Sequence, residues 1–99
     1  MRKYIDSAKV FIVFCDETRL KVLELLQHGE KCAGTLLKQV GVCQSTLSHH
    51  MKILVESGLI NVRKSGKRSF YSISESGSQN AFRMLAQYLS AKKPMPQGR

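Results

Sequence analysis

A mainly helical fold carrying one β-hairpin is predicted by three features of the 99-residue sequence. Apolar residues recur with a helical period through most of the chain. The period falls to two over a single stretch, Leu59 to Ile73, and a last helical pattern follows it. A glycine turn, Gly41-Val42-Cys43, joins the third and fourth helical patterns as in a helix-turn-helix.

The elements follow in order. From Tyr4 to Cys15, Tyr4, Ala8, Phe11 and Cys15 share one stripe, and Ile5, Val10, Ile12, Val13 and Phe14 add apolar surface on other sides. A helix of this kind is covered nearly all round, and in so small a chain a second copy of the same helix is the expected cover. Asp16-Glu17-Thr18 gives a second helix an acidic first turn. Leu20, Val22, Leu23, Leu25 and Leu26 are its expected core, and it ends near His28-Gly29. Arg19 and His28 are read as ties at helix ends. A third helix is expected from Lys31 to Val40, with Ala33, Leu36, Leu37 and Val40 inward and Gly41 as its stop.

The fourth helix holds QSTLSHHMKIL, Gln44 to Leu54, with Leu47, Met51, Leu54 and Gly58 on one stripe. Leu59 to Lys64 and Arg68 to Ile73 then alternate around Ser65-Gly66-Lys67, a β-hairpin with a basic tip. Ser76 to Ser78 are expected to cap a last helix running to about Ala91. Phe82, Leu85, Ala86 and Leu89 lie on one side of it, and Ala81, Met84 and Tyr88 widen the stripe. That excess apolar face pairs it with the first helix in a dimer, with Phe11, Phe14, Leu85, Tyr88 and Leu89 as the expected interface. One domain over 1–91 and a flexible tail over 92–99, which holds both prolines, complete the organisation.

Composition narrows the function. The formal charge is +9 and the pI about 9.8, which favours polyanions, nucleic acid first. Between Lys31 and Ser74 seven Lys or Arg stand against one acid, Glu56. Three cysteines, an odd number, read as reduced thiols rather than a disulfide framework. The first fifteen residues fail as a secretory leader, since Asp6 and Lys9 interrupt the approach to a short apolar run and bulky Phe14 precedes Cys15. No apolar run approaches the ~20 residues of a membrane span. A cytoplasmic protein with no membrane partner is expected. Paired carboxylates, a Ser/His/Asp context and a phosphate-cradling glycine loop are all missing, so no enzyme is predicted.

His49 and His50 are adjacent, and successive helix residues diverge by about 100°. They cannot both face one ion, because metal-binding pairs on a helix use i, i+3 or i, i+4 spacing. With Leu47, Met51 and Leu54 inward, His50 falls at the flank as a hydrogen-bonded structural residue. His49 joins Ser45, Ser48 and Lys52 in an outward row able to donate to phosphates or base edges. Ile53 and Val55 lie on opposite flanks, and both cannot be fully buried. The hairpin cations Arg63, Lys64, Lys67 and Arg68 would straddle a phosphate backbone while the helix enters a major groove. The whole is a winged helix-turn-helix. A winged-helix module that binds protein or RNA without sensing an inducer is the alternative.

QSTLSHHMKILVESGLINVRKSGKRSFYSI resembles the recognition helix and wing of the ArsR/SmtB family of bacterial repressors, and DETRLKVLELL is similar to that family's second helix. The resemblance covers about Phe11 to Ile73. It implies a homodimer built on the first and last helices, which occupies a double-stranded operator, an inverted repeat, and leaves when an inducer binds. It further implies that Gln44, Ser45, Ser48 and His49 meet bases or nearby phosphates and that Lys64, Lys67 and Arg68 meet backbone or minor groove. Thr46 and Lys52 belong to the same candidate DNA-binding set.

The family's arsenic sensors resemble E-L-C-V-C-D-L at the third helix. Here Glu30-Lys31-Cys32-Ala33-Gly34-Thr35-Leu36 keeps the first thiol and has Gly34 for the second. As(III) prefers several thiolates, and a second helix of about 18 Å separates Cys15 from Cys32. The family's zinc site on the last helix needs Asp and His, which the segment after Ser74 lacks. Cys32, beside Lys31 near a helix N-terminus, has the setting of a thiolate. Cys32, Cys43 and Cys15 are therefore the candidate sensing residues, with Cys15 more at home in core packing. As(III) or another soft metal ion is one candidate inducer, a thiol oxidant a second, and cysteines without a sensory role the third reading. DNA binding itself should require no cofactor.

Overall fold

The computed structural model describes residues 2–92, and the expected tail lies outside them except for Lys92. The elements are α1 (Arg2–Phe11), a 3-10 turn (Ile12–Cys15), α2 (Glu17–Leu26), β1 (Lys31–Cys32), α3 (Ala33–Val40), α4 (Gln44–Glu56), β2 (Ile60–Ser65), β3 (Arg68–Ile73) and α5 (Glu75–Leu89). The expected order of four helices, a hairpin and a helix is present, with one added strand.

That strand corrects the expected start of the third helix. Lys31 and Cys32 pair antiparallel with Tyr71 and Phe70, making a three-stranded sheet of order β1-β3-β2. A backbone drawn into a ladder cannot also begin a helix, so Cys32 becomes the residue before α3. The first helix is likewise shorter than expected. Its last four residues tighten into the 3-10 turn before Asp16 turns extended at φ −147°. Asp16 then caps α2, its carboxylate accepting from the Thr18 and Arg19 amides at 2.8 and 3.3 Å. Burial pushes the Asp16 carboxyl up, but those two amides and the nearby His50 and Arg19 outweigh it and hold it below the usual range. The last helix is capped by Ser74, not by Ser76 to Ser78, through a bond from the Gly77 amide to Ser74 Oγ at 3.0 Å, and it ends at Leu89 rather than Ala91.

Gly41 ends α3 in the left-handed region at φ 79°, as its position suggested. In the hairpin Ser65 pairs with Arg68, leaving Gly66-Lys67 as a two-residue loop with Gly66 at φ 63°. Glycine at the first central position matches the right-handed twist of the strands it joins.

The core gathers buried residues from the elements up to β2: Val10, Val13, Val22, Leu26, Leu36, Val40, Leu47, Met51, Leu54, Leu59 and Ile60. Ile53 and Val55 are both half-buried, as their flank positions required. Leu20, expected in the core, is 46% exposed because α2 buries Arg19, Val22 and Leu26 and packs Leu23 and Leu25 partly against the core, leaving Leu20 on the outer side. Cys15, expected to pack, is also exposed, its thiol directed at the Phe11 carbonyl at 3.7 Å.

The apolar surface left over is concentrated at the two ends of the chain. On α1 only Ser7 and Val10 are buried, and α5 buries no residue at all. Tyr4, Ile5, Ile12, Phe14, Phe82, Leu85, Tyr88 and Leu89 are exposed. An open apolar groove of about 410 Å³ lies among them, lined by Phe11, Phe14, Leu23, Ile73, Phe82 and Leu85. No helix among the described residues is long and apolar enough to cross a membrane.

Candidate nucleic-acid interface

Helix α4 sorts its side chains as the sequence spacing requires. Leu47, His50, Met51 and Leu54 are buried, and Gln44, Ser45, Ser48, His49 and Lys52 are exposed on the other side. Thr46 is half-buried, with its hydroxyl 3.1 Å from the Cys43 thiol. Outside α4, Lys64, Lys67 and Arg68 are exposed on the hairpin. Serine, glutamine and histidine can donate to or accept from base edges, while the lysines and arginine supply charge for phosphates.

Arg63 has a different setting from its neighbours. Its guanidinium makes a two-pronged pair with Glu30, Nε and Nη2 at 3.0 and 2.8 Å from the carboxylate, and lies 4.6 Å from the centre of the Phe70 ring. The pairing hydrogen bonds hold the Glu30 carboxyl below its usual range and push the Arg63 guanidinium up. Expected to reach DNA, Arg63 is here engaged in fastening the hairpin base to the loop before β1. The sequence offered no sign of this contact, since Glu30 and Arg63 are 33 residues apart.

The two histidines part as predicted. His50 is 8% exposed, with Nδ1 2.9 Å from an Arg19 guanidinium nitrogen and Nε2 3.8 Å from the Asp16 carboxylate. His49 is exposed, its ring centre 5.5 Å from that of His50. Arg19 is buried at 6% and donates to the Val13 and Ile12 carbonyls at 3.3 and 2.9 Å. It ties the 3-10 turn to α2, as a residue at a helix end was expected to do.

The thiols are separate. Cys32 is half-buried on β1, its sulfur 3.2 Å from the Thr35 hydroxyl. That hydroxyl and the Thr35 amide lower its pKa against burial, and the cation contributing is Arg68 rather than Lys31. Cys43 is exposed before α4, with sulfur 3.4 Å from Ser45 Oγ and 3.1 Å from Thr46 Oγ1. The Ser45 hydroxyl, then the Thr46 hydroxyl, bring its pKa down to about 7. Sequence reasoning noted the turn position of Cys43 but not these partners, although a Ser and a Thr two and three residues on are the signal. Among the described residues no three His, Cys, Asp or Glu side chains gather as a metal site.

A helix-turn-helix whose second helix shows a polar row, followed by a basic two-stranded wing, defines a winged-helix DNA-binding protein. The chain belongs to the ArsR family: the profile described as "Bacterial regulatory protein, arsR family" matches residues 16–62. It is 40% identical over 70 residues to the arsenical resistance operon repressor of Staphylococcus aureus, covering 71% of this chain and 67% of that protein. It is 39% identical over 74 residues to an uncharacterized HTH-type transcriptional regulator of Methanocaldococcus jannaschii, covering 74% and 83%. Among solved structures, an ArsR-like transcriptional regulator from Rhodococcus superposes with a TM-score of 0.75 at 26% identity, covering 86% of this chain and 78% of that one. The protein is a transcriptional regulator and not an enzyme.

Proposed function

We propose that this protein is a homodimeric repressor that holds an inverted-repeat operator and releases it when a soft metal or metalloid ion, or a thiol-reactive agent, binds. The observation that carries the DNA reading is the exposed row Gln44, Ser45, Ser48, His49 and Lys52 beside a hairpin bearing Lys64, Lys67 and Arg68. In this reading α4 enters the major groove and the wing contacts the flanking backbone, with Thr46 and Arg63 holding the interface in shape. Burying what remains exposed of the large apolar side chains on α1 and α5 would stabilise association at about 25 cal/mol per Å² of apolar surface, which supports a dimer closed by these helices. The compartment is the cytoplasm, where an operator is accessible.

The inducer reading rests on the thiols and on the relative from Staphylococcus aureus, a repressor of arsenical resistance. Cys32 is the proposed sensing residue, with Cys43 and Cys15 as further thiols. With no three-ligand cluster among the described residues of one protomer, a soft ion at Cys32 would draw its other ligands across the dimer. Footprinting on DNA upstream of the protein's own coding sequence tests the proposal. It should reveal a protected region with dyad symmetry, lost on adding As(III), Cd(II), Zn(II) or peroxide, with the release blunted in Cys32→Ser. Only an agent that binds the free form more favourably than the DNA-bound form can produce that loss. An unprotected upstream region would overturn the operator reading. Release unchanged in Cys32→Ser would remove the sensing role of that residue.

A further inference from the structure

Adjacent residues on α4 have different surroundings although their ring centres are 5.5 Å apart: His49 is exposed in the DNA-facing row, and His50 is buried against Arg19. Any shift that moves one ring therefore moves the other. What holds His50 consequently helps to hold the base-reading side of the helix.

The holder is a single planar group. From α2, the Arg19 guanidinium donates to Ile12 and Val13 carbonyls of the 3-10 turn and reaches His50 Nδ1 on α4 at 2.9 Å. A guanidinium has donors only and keeps its proton at any relevant pH. His50 Nδ1 must then be the acceptor, which puts the ring proton on Nε2, the side facing the Asp16 carboxylate at 3.8 Å. Every partner in this joint has one admissible role. The fixed fork of the guanidinium sets both the distance and the angle between the 3-10 turn and α4.

The 3-10 turn is also where apolar surface emerges, with Ile12 50% and Phe14 45% exposed, and Phe14 lines the groove together with Phe82 and Leu85 of α5. The joint thus connects the proposed dimer face to the proposed recognition helix through two residues. In a symmetric dimer the separation of the two recognition helices must match about one DNA turn, 34 to 36 Å or 10 to 10.5 base pairs. One inserted base pair displaces a half-site by about 3.4 Å and rotates it by about 35° on those dimensions. Small errors in helix placement are therefore legible as errors in spacing.

We infer that Arg19 and His50 are positioning residues that fix the recognition helix relative to the dimer face, and so set the half-site spacing the protein accepts. This inference rests on the dimeric operator reading above. Neither side chain touches DNA in it, and base preference within a half-site belongs to the outward row.

The test is binding of the full chain to a duplex series in which the two half-sites are moved apart or together by one and two base pairs, with the sequence inside each half-site varied separately. Wild type should favour one spacing. His50→Leu, which removes the acceptor, and Arg19→Lys, whose ammonium lacks the rigid planar fork that fixes the three partners, should reduce that preference by about tenfold, a usual size for coupling between sites. Base preference inside the half-site should be unchanged, and His50→Gln, whose amide oxygen can accept from Arg19, should restore the spacing profile. Should His50→Leu fail to fold, Arg19→Lys against His50→Gln carries the comparison. A wild-type protein indifferent to spacing would overturn the dimeric operator reading, and this inference with it. A spacing profile unchanged in both His50→Leu and Arg19→Lys, or lower thermal stability as their only effect, would overturn this inference alone.

Discussion

Tyr88 Oη donates to Ser7 Oγ at 3.0 Å, joining the last helix to the first across 81 residues of sequence, and the Tyr88 ring meets Phe11 edge-on with centres 5.8 Å apart. Phe11 is half-buried within the protomer, whereas Leu85 at 46% exposed and Leu89 at 73% look outward, and Tyr88 at 43% does both. This separates two consequences that a helix stripe alone would merge. Leu85→Glu and Leu89→Glu should give folded monomer, since the carboxylate stays in water until association would bury it unpaired. Phe11→Glu should instead lower protomer stability. Sedimentation with circular dichroism checks both, and a wild-type monomer at micromolar concentration would contradict the dimer.

Gly77, in the first turn of α5, is the position where a side chain cannot fit. A Cβ there would overlap the Gly58 carbonyl oxygen in the turn leading out of α4. Helix propensity alone favours alanine over glycine by about 1 kcal/mol, so Gly77→Ala should stabilise an isolated α5. In the whole protein the sign should reverse, because backbone must move to admit the methyl group. Thermal unfolding measures it, and a raised midpoint would show that the two backbones are not in contact.

Cys43 should be reactive near neutrality. Its pKa of about 7 means that the thiolate, the reacting species, grows as pH rises through that value and is lost below it. Alkylation of Cys43, followed by mass spectrometry, should therefore reach half its maximal rate near pH 7. Ser45→Ala should move the midpoint up towards the model-peptide range, since the Ser45 hydroxyl is the largest contributor. A rate still climbing past the ~8.5 of a free cysteine would contradict the hydrogen bonds at this thiol.

Helix and wing should separate specificity from charge. Ser48→Ala or His49→Ala should cost about 1 to 3 kcal/mol against the preferred sequence and little against random DNA. Lys67→Ala should weaken both similarly and reduce the salt slope by about one. The opposite pattern would exchange the roles given to α4 and the hairpin.

Much of this was readable in the sequence because it depends on local rules. The inward stripe of α4, the stop at Gly41 and the place of the hairpin follow from helical period and turn chemistry among near neighbours, although Ser65, read as part of the turn, pairs with Arg68 in the ladder. So does the split between an outward His49 and a buried His50. What stayed hidden depends on distant partners. Lys31 and Cys32 carry a helix-compatible pattern, and only pairing with β3 makes them a strand. Arg63 reads as one more wing cation until Glu30 and Phe70 are beside it. Ser74 and Ser76 are equivalent caps by residue type, and the bond from the Ser74 amide to the Leu59 carbonyl at 2.8 Å sets where the chain leaves the sheet.

The central claim, that this basic winged helix reads a DNA sequence, is tested most directly by titrating the full chain against its own upstream duplex and a scrambled duplex across a range of salt. Affinity for the upstream duplex should be at least about 10³-fold tighter than for the scrambled one. Both should fall linearly in log affinity against log salt, at about 0.9 per phosphate neutralised. Equal affinity for the two duplexes at every salt concentration would contradict it, leaving a basic surface with no sequence to read.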